Sequence, residues 1–392
     1  MRVLEGPDEE VTPRGSARLA CRGKILFCAN TAWSMHQFRR GVLAALIEDG
    51  YEVHVAAPED EDAASLRTMG CIFHALEMSA QGRNPLQDLR LIASLHVLYR
   101  KIRPVVIFHY TIKPNIYGSL AARLAGIRSI AITTGLGYVF INTGVVSRVS
   151  KMLYRVALRF SREVWFLNQE DRSAFVSEGL VDPGKCRILP GEGVDLDFYA
   201  LPPDADTPIS GNFRFLLIAR LLWDKGIGEY VDAARALKAR HSQVRCELLG
   251  PAGGANPSAI PDSQINAWLA EGVIDYLGTV SDVRPAIAAA HCVVLPSYRE
   301  GVPRSLMEAC AMERPVIATA VPGCRDVIDD GETGFLCRDR DAEDLANKME
   351  AMIKRDPASW RRMGAAGRAK MRTDFDERNV IAHYRRVVQS FA

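Results

Sequence analysis

Short apolar runs alternate with amphipathic helical patterns along nearly the whole chain, and this alternation limits the fold more than any other feature of the sequence. Lys24 is followed by Ile25-Leu26-Phe27-Cys28-Ala29, a run suited to a buried parallel strand because both of its faces are apolar. A loop over 30–35 leads into a helical pattern over 36–49, closed by Gly50, which tolerates the backbone conformation of helix ends. Further strands are expected at 51–57, 105–108, 129–133 and 164–167, with helices at 61–69, 86–102, 115–125 and 147–162. Strand and helix in this order build a doubly wound parallel sheet, so the expected class is α/β.

The pattern is interrupted by Leu201-Pro-Pro-Asp-Ala-Asp-Thr-Pro-Ile-Ser-Gly211, which is rich in chain breakers and reads as a linker. Beyond it, strands near 213–219, 244–249, 273–277, 292–295 and 315–319 again alternate with helices. The expected organisation is a mobile tail over 1–22, a Rossmann-like domain over 23–200, the linker over 201–211 and a second Rossmann-like domain over 212–375. A last helix over 376–392 has no strand after it and could pack back on the first domain. A chain of 392 residues is longer than one core usually accommodates. Two such sheets imply a cleft between them, with ligands at the carboxyl ends of the strands.

Composition narrows the function. At 48% hydrophobic and 24% charged, the chain is not mainly disordered. No stretch approaches the roughly 18–20 apolar residues of a membrane span. The first residues carry Glu5, Asp8, Glu9 and Glu10 and lack the apolar core of a secretory leader. Nine scattered cysteines, never in a C-x-x-C pair, argue against a disulfide framework and a structural zinc site, so a reduced, cytoplasmic protein is expected. The net charge of +2 hides an asymmetry: between Arg83 and Arg162 thirteen Lys and Arg face one acid, Asp88, a local +12 against −10 elsewhere. That block points to an anionic partner: nucleic acid, a membrane surface or a phosphorylated substrate.

The strongest local signal is Ser297-Tyr-Arg-Glu300-Gly301-Val-Pro303-Arg-Ser-Leu-Met-Glu308-Ala309. A buried strand ends in a loop holding Glu300 and Gly301, and Pro303 suits the first turn of a helix running to about Glu313. Helical side chains lean toward the N-terminus, so Glu300 and Glu308 can approach one ligand at that helix end. Free amides favour a diphosphate there, and carboxylates accept from sugar hydroxyls. The plainer alternative is a solvated loop acid and an ordinary helix glutamate. A second strand, over 213–219, delivers Arg220 at its exit and Lys225 before a helical pattern over 227–240. Two cations at such a turn suit a pyrophosphate, one by its fork and one as a point charge, unless they are merely solvated. A glycine loop, Gly250-Pro-Ala-Gly253-Gly254, ends another strand and is weak by itself.

Arg220 and Lys225 followed by Glu300 and Glu308 resemble the donor-site pattern of family 4 retaining glycosyltransferases with the GT-B fold. Pro315-Val-Ile-Ala-Thr-Ala-Val-Pro-Gly323, Asp330-Gly-Glu-Thr-Gly334-Phe335 and Gly191-Glu-Gly-Val194-Asp195 match as well. In the first half, Lys113-Pro-Asn115-Ile-Tyr-Gly118-Ser-Leu-Ala-Ala-Arg123 and Thr134-Gly-Leu-Gly-Tyr138 resemble a bacterial subgroup. Its members add an N-acetylhexosamine, often N-acetylgalactosamine, to a polyprenyl-diphosphate-linked saccharide in surface-glycan or glycoprotein biosynthesis. The resemblance covers roughly residues 24–390 and implies two Rossmann-like domains facing an interdomain cleft. It implies catalytic roles for Arg220, Lys225 and Glu300: the two cations hold the diphosphate of a UDP-sugar and neutralise the charge of its departure. Glu300 would contact the transferred sugar, with backbone amides near Gly301 and Val302 assisting, and Glu308 the ribose. Many relatives have Phe-Gly where this chain has Val302-Pro303, and Pro303 has no amide to donate. Retention without a protein nucleophile implies front-face attack, with positioning and electrostatics as the protein's task and no metal cofactor.

For the acceptor side the candidates are Lys113, Asn115, Thr134, Gly135 and Arg39, with Asn30-Thr-Ala-Trp33 in the first strand's exit loop. His109, at a strand end, either meets a substrate or is a structural histidine bonded to backbone. Asp-x-Asp pairs, among them Asp60/Asp62, Asp195/Asp197, Asp204/Asp206 and Asp339/Asp341, are expected by chance among 47 acids and are assigned no metal. In the helix over 147–162, Arg148, Lys151, Arg155, Arg159 and Arg162 share one face, beside a stripe of Val149, Leu153, Val156 and Phe160. Such a helix can lie on an anionic membrane through the block 83–162, placing the protein peripherally on the inner face of the cell membrane. The alternative packs the apolar stripe on the sheet. Two rival functions are a non-hydrolysing UDP-sugar epimerase, which turns over without an acceptor, and a nucleic-acid-binding protein. No recognition helix or aromatic RNA-binding motif supports the latter, so no nucleic-acid partner is expected.

Overall fold

The computed structural model describes residues 21–78, 84–136, 144–202, 212–254 and 256–391. Residues 1–20 of the tail expected over 1–22 and 203–211 of the linker expected over 201–211 lie outside the described residues, as does Tyr138.

The first domain runs β1 (Lys24–Cys28), α1 (Ala32–Glu48), β2 (Glu52–Ala57), α2 (Asp62–Thr68), β3 (Ile72–Ala75), α3 (Pro85–Ile102) and β4 (Val106–Tyr110). A π-helical turn (Pro114–Gly118) continues into α4 (Ser119–Ala125), then β5 (Ser129–Thr133), α5 (Val145–Ala157), β6 (Glu163–Phe166), α6 (Gln169–Ser177) and β7 (Cys186–Ile188). All neighbouring strands are parallel, in the order β3-β2-β1-β4-β5-β6-β7. Chain order reverses between β1 and β4, the point at which an open sheet leaves a crevice above its carboxyl edge. Every residue of β4 and β5 is buried, which is why their sequences are continuous rather than alternating.

The second domain runs β8 (Arg214–Ile218), α7 (Ile227–Lys238), β9 (Arg245–Leu249), α8 (Asp262–Ala270), β10 (Asp275–Tyr276), α9 (Arg284–Ala289) and β11 (Cys292–Leu295). There follow α10 (Arg304–Ala311), β12 (Val316–Thr319), α11 (Cys324–Val327) and β13 (Gly334–Cys337). The sheet order β10-β9-β8-β11-β12-β13 repeats the doubly wound plan. Three helices close the chain: α12 (Ala342–Ile353), α13 (Pro357–Asp374) and α14 (Glu377–Gln389).

The last helix returns to the first domain. Arg385 on α14 forks onto Asp49 at 2.7 and 2.9 Å, beside the end of α1. Tyr384 enters the first core, its ring 5.0 Å from Phe108 and 5.1 Å from Trp165, its hydroxyl bonded to that of Tyr110. The two-domain body is therefore tied twice, by the linker and by α14.

Strands β3, β7 and β13 have no counterpart in the sequence reading, and each is the edge of a sheet. An edge strand has one neighbour, and β3 and β7 are largely exposed, so neither needs a continuous apolar run. The helix expected over 147–162 ends at Ala157, because by Arg162 the chain is already bonding Ser129 alongside β5. All nine cysteines are free, and eight are buried.

Candidate active site

Two strand-exit loops of the second domain are stitched together at the cleft. After β8, Trp223–Lys225 forms a single 3-10 turn that ends at Gly226 with φ 69°. A Cβ on Gly226 would stand 1.9 Å from the carbonyl oxygen of Pro296, so only glycine seats this turn against the loop leaving β11. The Asp224 carbonyl accepts from the Tyr298 amide at 2.9 Å and from the Ser297 hydroxyl at 3.1 Å. This stitching brings Lys225 Nζ to 2.5 Å from Glu300 Oε1, with both side chains largely buried. Arg220, on the same loop, is exposed, and among the described residues its guanidinium has no partner. A fork without a protein partner beside a lysine is ready for an anion that presents several oxygens.

Glu308 lies one turn into α10 and is 8% exposed. Its Oε1 accepts from the Tyr199 hydroxyl and from Arg304 Nε, both at 2.8 Å. Oε2 is left without a partner among the described residues and can receive a ligand hydroxyl. Pro303 is the N-cap of α10 and adds no donor, whereas Val302 is buried behind it. The domains touch at Gly301: a Cβ there would stand 2.5 Å from the Thr134 carbonyl oxygen and 3.5 Å from the Cα of Gly135. Lys225 thus meets Glu300 beside Gly301 and Val302, just ahead of the helix that carries Glu308, while Arg220 stands exposed on the loop of Lys225.

The acceptor candidates divide. Thr134 and Gly135 form the edge of the cleft opposite Gly301. Arg39 does not: it is 4% exposed, its fork closes on Glu192, and its charge lies 4.3 Å from the ring centre of Tyr110. Asn115 is fully buried and donates to the Ile132 carbonyl at 2.9 Å, tying the π-helical turn to β5. Lys113 bonds Asp88 at 2.8 Å, and Tyr117 takes the other oxygen of that carboxylate. These three polar groups are held by protein partners rather than offered to the cleft. His109 is fully buried, 2.9 Å from the Tyr99 hydroxyl and 3.5 Å from that of Ser119, and burial pushes its pKa down to about 3. It is a core histidine with side-chain rather than backbone partners. The Asp-x-Asp pairs serve turns: Asp60 accepts from the Trp33 amide, Asp195 from those of Asp197 and Phe198, and Asp341 caps α12. Asp204 and Asp206 lie outside the described residues.

The sequence reading missed Tyr199 and Arg304, which aim Glu308, and Asn168, Asp171 and Arg299, which join the domains. Asn168 before Gln-Glu-Asp is a legible helix cap, but its partner in the other domain is not written in any local pattern.

Each half of the chain matches one family model, glycosyl transferase 4-like over residues 24–168 and glycosyl transferases group 1 over 212–355. The chain belongs to the GT-B glycosyltransferases. It is similar to the N,N'-diacetylbacillosaminyl-diphospho-undecaprenol alpha-1,3-N-acetylgalactosaminyltransferase of Campylobacter jejuni, 28% identical over 94% of this chain and 100% of the relative. An Escherichia coli UDP-Gal:alpha-D-GlcNAc-diphosphoundecaprenol alpha-1,3-galactosyltransferase is 25% identical over 67% of this chain and 70% of its own. Among solved structures, Anabaena Alr3699/HepE in complex with UDP superimposes with a TM-score of 0.76 at 20% identity, covering 94% of this chain and 100% of that one.

Proposed function

We propose that the chain is a retaining transferase that moves an N-acetylhexosamine from a UDP-sugar to a polyprenyl-diphosphate-linked saccharide, without a metal cofactor. The observation that carries this reading is the Arg220 guanidinium, without a partner among the described residues, on the loop of the Lys225–Glu300 pair. The names of the two relatives, both enzymes of diphospho-undecaprenol sugars, and the UDP bound to the structural neighbour support the substrate classes. In this reading Arg220 and Lys225 neutralise the diphosphate as the bond from its oxygen to the sugar breaks. The acceptor hydroxyl attacks from the same face and gives its proton to the departing oxygen. Glu300 holds the hydroxyls of the transferred sugar, and the free Oε2 of Glu308 holds the ribose. A donor screen with EDTA, detergent-dispersed polyprenyl-diphosphate sugars and mass detection tests it. Mass added to the lipid from a UDP-N-acetylhexosamine is expected; turnover that requires an added metal, or epimerised donor without acceptor, overturns it.

In this reading the acceptor's lipid draws the enzyme to the inner face of the membrane, and one surface fits that position. Of seventeen exposed large apolar side chains among the described residues, ten lie between Leu86 and Phe160. On α5, Val145, Val149, Met152 and Val156 face outward with Arg148 and Arg159 beside them, while Tyr154 and Ala157 pack inward. The expected stripe thus divides: Val149, Val156 and Phe160 are exposed while Leu153 packs on the core, and of the basic face Lys151 pairs with Glu178 and Arg155 bonds the Glu178 and Gly179 carbonyls. Apolar side chains flanked by arginines fit an anionic bilayer surface, and no described helix is long and apolar enough to cross one. The double change Val149→Asp and Met152→Asp is expected to lower binding to phosphatidylglycerol vesicles at least about tenfold. Turnover of a short-chain, water-soluble acceptor should stay as in the wild type; undiminished vesicle binding rejects this face.

A further inference from the structure

We propose that the first turn of α6 is a clasp through which the acceptor domain positions Glu300, with Asn168 and Asp171 as positioning residues; this rests on the donor-site reading above. Asn168 uses both ends of its amide. Its Oδ1 accepts from the Asp171 amide at 2.7 Å and caps α6, and its Nδ2 donates across the domain boundary to the Gly301 carbonyl at 2.8 Å. Asp171, with no exposed surface, accepts from the Arg299 guanidinium at 2.7 Å, again across the boundary. At the rim, Glu170 pairs with Arg325 of α11. Arg299 and Gly301 are the two residues that flank Glu300. The carboxylate that meets Lys225 therefore sits on a segment anchored on both sides in the other domain.

The far side of that segment is equally confined. Gly323 backs the Gly301 carbonyl so closely that a Cβ on it would stand 2.0 Å from the oxygen. With Ser297 and Tyr298 held by the Asp224 carbonyl and Gly323 closing the space behind Gly301, the freedom left to residues 299–301 is set by the clasp. Separating the domains leaves the Asn168 amide, the Gly301 carbonyl and the Asp171 and Arg299 charges to be rehydrated together. A buried charge deprived of its partner is strongly unfavourable, so the bonds form and break as one unit. The consequence is a coupling: Glu300 is correctly aimed only while the acceptor domain is seated. A donor held in the open enzyme then lacks part of its reactive geometry, which limits transfer of the sugar to water.

Asn168→Asp separates positioning from folding. Aspartate caps a helix as well as asparagine does, so α6 should stay folded, while losing the Gly301 bond at a side chain only 3% exposed lowers the melting temperature modestly; kcat is therefore read per folded molecule, well below both melting temperatures. It cannot donate to Gly301, and its carboxylate faces a carbonyl. The expected result is a fall in kcat of about 10- to 100-fold with UDP affinity within about threefold of the wild type. Asp171→Asn should act in the same direction. Small-angle scattering of the full chain without substrate should show a larger radius of gyration for both variants. Wild-type kcat and scattering in both variants overturn the proposal, and so does a kcat loss that only follows a fall in melting temperature. If the wild type itself turns over no UDP-sugar, the functional reading fails, and the scattering comparison still decides the clasp.

Discussion

The two walls of the cleft treat their polar side chains in opposite ways. In the second domain they are held in reserve: among the described residues Arg220 has no partner, Glu308 keeps one oxygen unengaged, and Lys225 and Glu300 bond each other alone. In the first domain they are already used. Arg39 is committed to Glu192, Lys113 to Asp88 and Asn115 to the Ile132 carbonyl, leaving the backbone-rich edge at Thr134 and Gly135 to face the cleft. The difference teaches that a charged residue at a strand exit marks a ligand only where the fold leaves its partner out. A diphosphate needs cations that cost little to present, whereas a hydroxylated acceptor can be met by backbone groups and shape.

The contrast is broken most directly by exchanging the expected phenotypes. Lys225→Ala and Glu300→Gln should each lower kcat/KM on the order of 10²- to 10³-fold, the range for losing one preorganised electrostatic contact, with a smaller loss of melting temperature than at Arg39 because Lys225 is 20% exposed and Arg39 only 5%. Arg39→Met should do the reverse. Removing one member of a buried pair costs about 3–5 kcal/mol of stability, while kcat per folded molecule is retained. Steady-state kinetics and calorimetry on the three variants decide it. An Arg39 variant that is stable but has a raised acceptor KM would return Arg39 to the cleft and end the division.

Gly301 lies where the walls meet, so its replacement sharpens the comparison from both sides. A methyl group at 2.5 Å from the Thr134 carbonyl cannot be absorbed by rotating a side chain, because the atom it meets is backbone. Gly301→Ala should therefore push the domains apart, costing about 1–3 kcal/mol as overpacking usually does and reducing kcat more than UDP affinity. Unchanged turnover would mean that the contact at Gly301 is not needed for transfer.

Much of this architecture is legible in the amino-acid sequence, for identifiable reasons. The buried central strands announce themselves because parallel strands covered on both faces must be continuously apolar, as in Ile25-Leu26-Phe27-Cys28 or Cys292–Leu295. Edge strands β3 and β7 escape because one open edge and an exposed face relax that demand, and β13, though buried, because it is short and opens on a glycine. Glu300 and Glu308 can be assigned to one strand exit because the loop and the helix that carry them are consecutive in sequence. What a sequence does not display is which partner each polar group finds. Asn115 and Lys113 sit in the same motif and look equally available, yet one is fully buried against β5 and the other answers the single acid of the basic block. Those pairings are set by three-dimensional neighbours far apart in sequence, as is the meeting of Asn168 with Gly301.

The smallest effect belongs to His109 and tests whether the inner face of the first domain is architecture alone. Its neutral ring is buried with Tyr99, and its pKa is pushed down to about 3. An unfolded histidine titrates near 6.5, so above that pH neither state carries the proton and the full stability is present. As pH falls below about 6.5 the unfolded chain takes up a proton that the folded chain refuses, and stability drops by up to about 1.4 kcal/mol per pH unit until the folded ring titrates. His54, His74 and His383, also shifted down by burial, add to the same acid slope. His109→Gln, which can still bond the Tyr99 hydroxyl, should begin less stable at pH 7.5 yet lose stability less steeply between pH 6 and pH 4 in denaturant titrations. Its pH–rate profile should superimpose on that of the wild type, because the ring touches neither wall of the cleft. A displaced profile would show that protonation at this buried position is felt by the substrates, and the first domain would then hold chemistry as well as shape.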